Sequence, residues 1–202
     1  MIASLTGILK QKSPTEALID VHGVGYAVSI PLSTYEKLGD VGSAVSLLTH
    51  LHVREDVMQL FGFGSDEERR LFRLLLSVSG IGPKTAQGVL SGMNVEELKS
   101  NIVGGNIQAL TSIPGVGRKT AERLIVELRD KVGMEAAGAE FAAFRDGKNA
   151  ATRVEALQAL TSLGYTQQAA EKAIRVVLNE SGDTNISLEE LIKQALRRAS
   201  SR

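Results

Sequence analysis

Apolar positions follow three regimes along the chain. From Ile2 to Phe63 they form short blocks: Ile2–Leu9, Ala17–Val21, Tyr26–Ile30, Val45–Val53 and Val57–Phe63. These blocks predict five β-strands, with turns at Ser13-Pro14 and His22-Gly23-Val24-Gly25. Pro31–Leu38 predicts a short helix between the third and fourth strands. After Ser65 the spacing changes to i, i+3, i+4, i+7. Leu71, Leu74, Leu75 and Val78 form one stripe; Ala86, Val89, Leu90 and Met93 a second; Ala121, Leu124, Ile125 and Leu128 a third. Ser65 and Glu68 predict a capping box at the start of this region. Residues 133–150 lose the stripe and become small and polar, which predicts a flexible linker, with an Ala-rich helix as the alternative. From residue 151 three short helices are expected. The first carries Leu157, Leu160 and Leu163 and stops at Gly164. The second follows a Thr166 cap and carries Ala170, Ala173, Ile174 and Val177. The third follows a Ser187/Glu190 capping box and carries Leu188, Leu191, Ile192 and Ala195.

Five strands with a helix between the third and fourth match an OB-type barrel. The expected fold class is therefore α+β and multidomain. The expected divisions are a barrel over residues 1–64, an all-α region over 65–132, a linker over 133–150 and a small three-helix, UBA-like module over 151–202. About fifty residues is near the lower limit for an independent core, and such a module on a tether suits docking to a partner.

One motif occurs twice in the all-α region. Ser79-Gly80-Ile81-Gly82-Pro83-Lys84-Thr85-Ala86 recurs as Pro114-Gly115-Val116-Gly117-Arg118-Lys119-Thr120-Ala121. Each copy lies between helical stripes, so each unit reads helix, Gly-x-Gly turn, helix. Glycine permits φ > 0 and close approach of another backbone. The second helix begins with unpaired N–H groups and a positive dipole end. A Lys in its first turn opposes that dipole, so helix stability does not select it; an anion does. The two units resemble helix-hairpin-helix modules, which hold DNA without reading its sequence. The expected phosphate contacts come from Gly80, Ile81, Gly82, Lys84 and Thr85, and from Gly115, Val116, Gly117, Arg118, Lys119, Thr120 and Arg123.

Composition narrows the alternatives. The chain carries 23 basic and 23 acidic residues, so any DNA contact is local and no general cationic coat exists. Residues 1–64 are net acidic, which leaves the barrel's role open between assembly and direct binding. The absence of Cys fits a reducing cytoplasm and excludes thiolate metal sites. No apolar run is long enough to span a membrane, and Met1-Ile2-Ala3-Ser4-Leu5 is unlike a signal peptide. With no Trp and few aromatics, a stacking platform for single strands is poorly supplied. Neither glycine motif is a P-loop: Gly does not directly precede Lys, and both follow helices. The dinucleotide fingerprint fails because Thr85 and Thr120 occupy its third-Gly position. His50 and His52 share one strand face, but nothing completes a metal site with them or with His22. No cofactor and no metal are expected. Glu55 and Asp56 sit at a predicted hairpin tip. They read as a polar turn, as half of a metal-nuclease site, or as a prong that repels phosphate.

Taken with Val53-Arg54-Glu55-Asp56, Leu60-Phe61-Gly62-Phe63, Leu90-Ser91-Gly92-Met93 and Pro114–Glu127, these motifs are similar to the RuvA family of Holliday-junction-recognising proteins. The likeness runs from Met1 to about Val132; the C-terminal part matches more loosely, at the Leu163-Gly164-Tyr165 turn. The resemblance implies a non-catalytic subunit of an ATP-dependent branch-migration complex. It implies a homotetramer, alone or as two tetramers face to face, holding an open four-way DNA junction. It implies an acidic pin made by Glu55 and Asp56 of each subunit. It implies two partners: the hexameric RuvB ATPase, docked through the C-terminal module, and RuvC, a nuclease acting on the same junction; Leu163, Gly164 and Tyr165 with the helices beside them are the expected docking contact. A helix-hairpin-helix nuclease or glycosylase is the competing enzymatic reading, and a scaffold that never touches DNA is a third.

Overall fold

A computed structural model describes residues 1–143, 150–180 and 186–199. They form two compact units, Met1–Gly133 and Met134–Arg202.

The first unit opens with a closed five-stranded barrel. Its strands are β1 (Ser4–Ser13), β2 (Glu16–Val21), β3 (Val24–Ser29), β4 (Ala44–Val53) and β5 (Met58–Phe63), in the spatial order β1-β2-β3-β5-β4. The OB-type expectation holds, including the helix α1 (Leu32–Lys37) between β3 and β4. Closure uses one parallel pair, Val28 opposite Leu60 and Ser29 opposite Phe61. The β2–β3 turn is tight: His22 and Gly23 both take positive φ, 53° and 89°, as a two-residue hairpin with matching twist requires. The Asp20 carboxylate accepts the Gly23 amide at 2.7 Å. That bond, ahead of the Lys10 contact, holds the Asp20 pKa below the ordinary Asp value. Leu5, Leu9, Ile19, Val28, Ile30, Leu47 and Leu60 fill the barrel.

Helices α2 (Asp66–Leu76), α3 (Pro83–Gly92), α4 (Val95–Gly104) and α5 (Ile107–Thr111), with the part of α6 (Arg118–Ala143) up to Gly133, complete this unit. The predicted stripes are its core. Leu71, Leu75, Val78, Ala86, Val89, Leu90, Ala121, Leu124 and Leu128 are all buried. Two expectations need correction. The Ser65 hydroxyl does accept the Glu68 amide, at 3.2 Å, but Glu68 does not return the bond. Its carboxylate, 2% exposed, accepts from Thr34 Oγ1 at 3.0 Å, the Gly64 amide at 3.1 Å and Lys37 Nζ at 3.3 Å. A buried carboxylate needs several partners, and here α1 of the barrel supplies most of them. Within residues 133–150, expected as a linker, α6 continues to Ala143, so the alternative of an Ala-rich helix holds over the described part. Glu, Ala and Met are strong helix formers, and they propagate α6 where no apolar stripe signals it. Residues 144–149 lie outside the described residues.

Barrel and helices share a seam. Phe61 and Phe63 point out of the barrel wall onto Phe72 of α2, with ring centroids 5.0 and 4.9 Å away. His50 meets the same ring edge-on at 5.4 Å. Gln87 Nε2 of α3 donates to the carbonyls of Ile30 (2.7 Å) and Thr15 (3.1 Å), and the Leu32 amide donates to Ser91 Oγ at 3.1 Å. Arg69 Nη1 reaches the Ala3 carbonyl at 3.2 Å.

The second unit contains α7 (Ala150–Ser162), α8 (Gln167–Glu180) and α9 (Leu188–Ala199). Leu160, Ala170, Ala173, Ile174, Val177, Leu191 and Ala195 make its core. Thr166 caps α8 through the Ala169 amide, and Ser187 caps α9 through the Glu190 amide, both at 3.3 Å. Glu190 turns its carboxylate to Gln194 (2.8 Å), so this capping box too is one-sided. α7 ends in a glycine cap: Gly164 has φ 94°, and the Gly164 and Tyr165 amides reach back to Thr161 and Leu160. Leu163 is 61% exposed, since the cap turns the chain there.

Candidate nucleic-acid interface

The helices α2 to α6 begin in two different ways. α2, α4 and α5 are capped by their own side chains: Ser65 accepts the Glu68 amide, Asn94 forms a full capping box with Glu97, and Asn106 accepts the Ala109 amide. Acidic residues fill the first turns of α2 and α4, where they complement the dipole. α3 and α6 start oppositely. α3 begins at Gly82, with no side-chain cap and no acid in its first turn, and carries Lys84 there. α6 begins at Gly117, whose carbonyl takes the first helical bond from Ala121, and carries Arg118 and Lys119. Both uncapped starts follow the Gly-x-Gly turns. Their leading amides and positive dipole ends are the kind of helix start that suits an anion.

The turns make this presentation possible. Gly80 and Gly115 adopt φ of 91° and 86°, which a residue with a Cβ adopts only under strain. Gly82 and Gly117 do not use positive φ; a Cβ on either would meet nothing within 4 Å. Their smallness leaves open space in front of each helix start. The amides expected from Ile81 and Val116 are committed inside the turn, to Val78 (3.1 Å) and Ile113 (3.0 Å). Both side chains are buried. These two residues anchor the loops, and the groups left for a phosphate are the amides around Gly82, Lys84 and Thr85 and around Gly117, Lys119 and Thr120.

The cations differ in what they already hold. Lys84 and Lys119 are exposed and form no ion pair among the described residues. Arg118 Nε contacts Glu122 Oε1 at 3.1 Å. Arg123 crosses to the other motif: its Nη1 donates to the Ser79 carbonyl at 3.1 Å and lies 3.4 Å from Ser79 Oγ. A residue expected to bind phosphate is thus also a strut between the two hairpins.

Glu55 and Asp56 form the exposed tip of the β4–β5 hairpin, closed by the Arg54 amide on the Val57 carbonyl at 2.8 Å. Beneath them Arg54 Nε donates to His52 Nε2 at 3.1 Å. His50 lies against Phe72, and burial there, ahead of the charges of Arg73 and His52, lowers its pKa. Among the described residues no three His, Asp or Glu side chains gather, so the tip finds no third ligand for a metal-nuclease site. No described helix is long and apolar enough to cross a membrane.

Residues 1–62 match the RuvA N-terminal domain, 72–130 a SAM-like helix-hairpin-helix tandem, and 152–200 the RuvA C-terminal domain. The chain belongs to the RuvA family. It is 48% identical to the Holliday junction branch migration complex subunit RuvA of Geobacter sulfurreducens, over 98% of both chains. The proteins of the same name from a Marinomonas species and from Pseudomonas putida are 47% and 42% identical, again over 98% of each chain. Within this RuvA-family chain, sequence reasoning misses the residues that fix the hairpins to the barrel. Glu68, Arg69, Gln87 and Ser91 act across 31 to 72 residues of sequence. The one local signal is Gln87 and Ser91, polar at i, i+4 beside an apolar stripe.

Proposed function

We propose that the chain recognises four-way DNA junctions as the non-catalytic subunit of a branch-migration complex in recombination and repair. The observation that carries this is the pairing, within one compact unit, of two uncapped cationic helix starts with a projecting acidic hairpin. The helix starts grip sugar–phosphate backbone without reading bases. The acidic tip repels it. Four copies around a centre would bring four tips together, and a continuous duplex laid across them would meet every one. A junction has an open middle, and its strands can leave along the hairpins.

In this reading the assembly is a tetramer, or two tetramers enclosing the DNA, in the cytoplasm. Movement comes from ATP hydrolysis by RuvB, docked on the second unit near the exposed Leu163 and the Gly164-Tyr165 turn, while RuvC acts on the same junction. The test is a gel shift of the full chain on a synthetic four-way junction and on linear duplex of equal length. Junction-selective binding is expected. Glu55→Gln with Asp56→Asn should tighten duplex binding while junction binding changes less. Equal shifts for both DNAs would reduce Glu55 and Asp56 to a solvated turn. A chain ending at residue 147 should still bind junctions and should no longer support RuvB-driven migration.

A further inference from the structure

The β4–β5 hairpin carries more than its two carboxylates. Along β4 and β5, Leu51 pairs with Leu60, His52 with Gln59, and Val53 with Met58. Side chains alternate across a strand, so Val53 and Met58 continue the face that holds Leu51 and Leu60. Leu60 is buried in the barrel and Leu51 packs against that core. One pair further out, the same face leaves the barrel: Val53 is 57% exposed and Met58 74%. This exposed apolar pair therefore forms a step directly below Glu55 and Asp56. An ordinary polar hairpin has no reason to place it there.

The chemistry of the step and tip together selects one occupant. Two side chains are far too little for a stable protein–protein interface, which needs on the order of 1,000 Å², and burying them against protein would desolvate the adjacent carboxylates. A nucleobase presents a flat, uncharged, largely apolar face. Apolar side chains, Met among them, wedge between base steps in proteins that deform DNA. The carboxylates keep the phosphates of the same strand away.

We propose that Val53 and Met58 form an apolar step that receives bases unstacked at the junction crossover, with Met58 as the wedge. This rests on the junction-binding reading above. The pin thus has two parts: the acidic tip excludes backbone, and the step holds the bases that the exclusion exposes.

The test uses the full chain, saturating a four-way junction that carries 2-aminopurine either beside the crossover or ten base pairs along one arm. Fluorescence of this base rises when it unstacks. With the native chain, the crossover probe should brighten severalfold and the arm probe should not. Val53→Ser with Met58→Ser, and separately Met58→Gln, should lose most of the crossover signal. Both positions are exposed, so unchanged thermal melting is expected and verifies folding. Full brightening with both variants overturns the inference while leaving junction binding intact. A lower molecular mass in solution for the serine variant also overturns it, by showing that the step joins copies of the chain. Binding the junction no better than duplex overturns the junction reading, and this inference with it.

Discussion

The two hairpins share a motif and differ in how they are held. The first lies between α2 and α3, and both of these helices are fixed to the barrel: α2 through Phe72, Glu68 and Arg69, α3 through Gln87 and Ser91. The second lies between the five-residue α5 and the long α6, and carries Arg118 and Lys119 where the first carries Pro83 and Lys84. Its bond to the first is Arg123 on Ser79. Two copies of one motif therefore sit in unlike settings. The first is set in a fixed place relative to the acidic tip, since both belong to one barrel-bound frame. The second has more positive charge and takes its position from the first.

The sharpest way to break this comparison is to cut the first hairpin's anchor. Phe72 is fully buried. Phe72→Ala should cost about 3–5 kcal/mol of stability, read as a lower midpoint in urea. Junction affinity should fall more than duplex affinity if the frame matters for function. Equal losses would mean that the seam serves stability alone.

Next in size is the turn itself. Gly80→Val and Gly115→Val place a β-branched residue at positive φ, at about 1–2 kcal/mol each. Both should weaken binding to junction and duplex alike. A loss confined to one variant would show that one hairpin carries the grip.

Charge removal should act more gently and evenly. Lys84→Ala and Lys119→Ala should each weaken binding similarly for all junction sequences. Each should lower the magnitude of the log–log salt slope by about one for every phosphate that a subunit no longer neutralises. An unchanged slope removes that lysine from the interface. Arg123→Gln separates strut from phosphate ligand. Loss of the strut's hydrogen bonds should cost about 1 kcal/mol of stability. If Arg123 is a strut only, the salt slope should match that of the native chain.

The smallest effect belongs to the seam's histidine. Burial lowers the His50 pKa in the folded chain from its ordinary value of 6.5, so the unfolded chain takes up the proton first. Its contribution is present above pH 6.5 and is lost as pH falls from there through the folded value. His50→Gln should therefore flatten the fall in melting temperature below pH 6.5. An identical fall in both proteins would assign it to other groups.

What can be read from the chain is local. The stripe from Leu71 to Val78 and the Gly-x-Gly spacing repeat within one or two turns, so helix, turn and buried face are all legible. The half-formed capping boxes show the limit. Ser65 caps as its neighbours dictate, but Glu68 answers to Thr34 and Lys37, which no local pattern connects to it. Arg123 is legible as a cation of the motif and not as a strut, because its partner Ser79 lies 44 residues earlier. The reach of α6 to Ala143 is not legible, because helix propensity without an apolar stripe leaves no periodic signal.

The order of strands around the barrel also constrains how the chain emerges during synthesis. β1, β2 and β3 form a meander from residues 4–29, and both its outer edges are unpaired at that stage. β1 waits for β4, and β3 for β5. Open edges are templates for mispairing, and they stay open until Phe63 has left the ribosome. Phe61 and Phe63 then show aromatic rings to water until Phe72 follows. That delay spans only nine residues, about half a second to two seconds at typical bacterial translation rates. Phe72, which fixes the first hairpin to the barrel, is thus also the cover that Phe61 and Phe63 wait for.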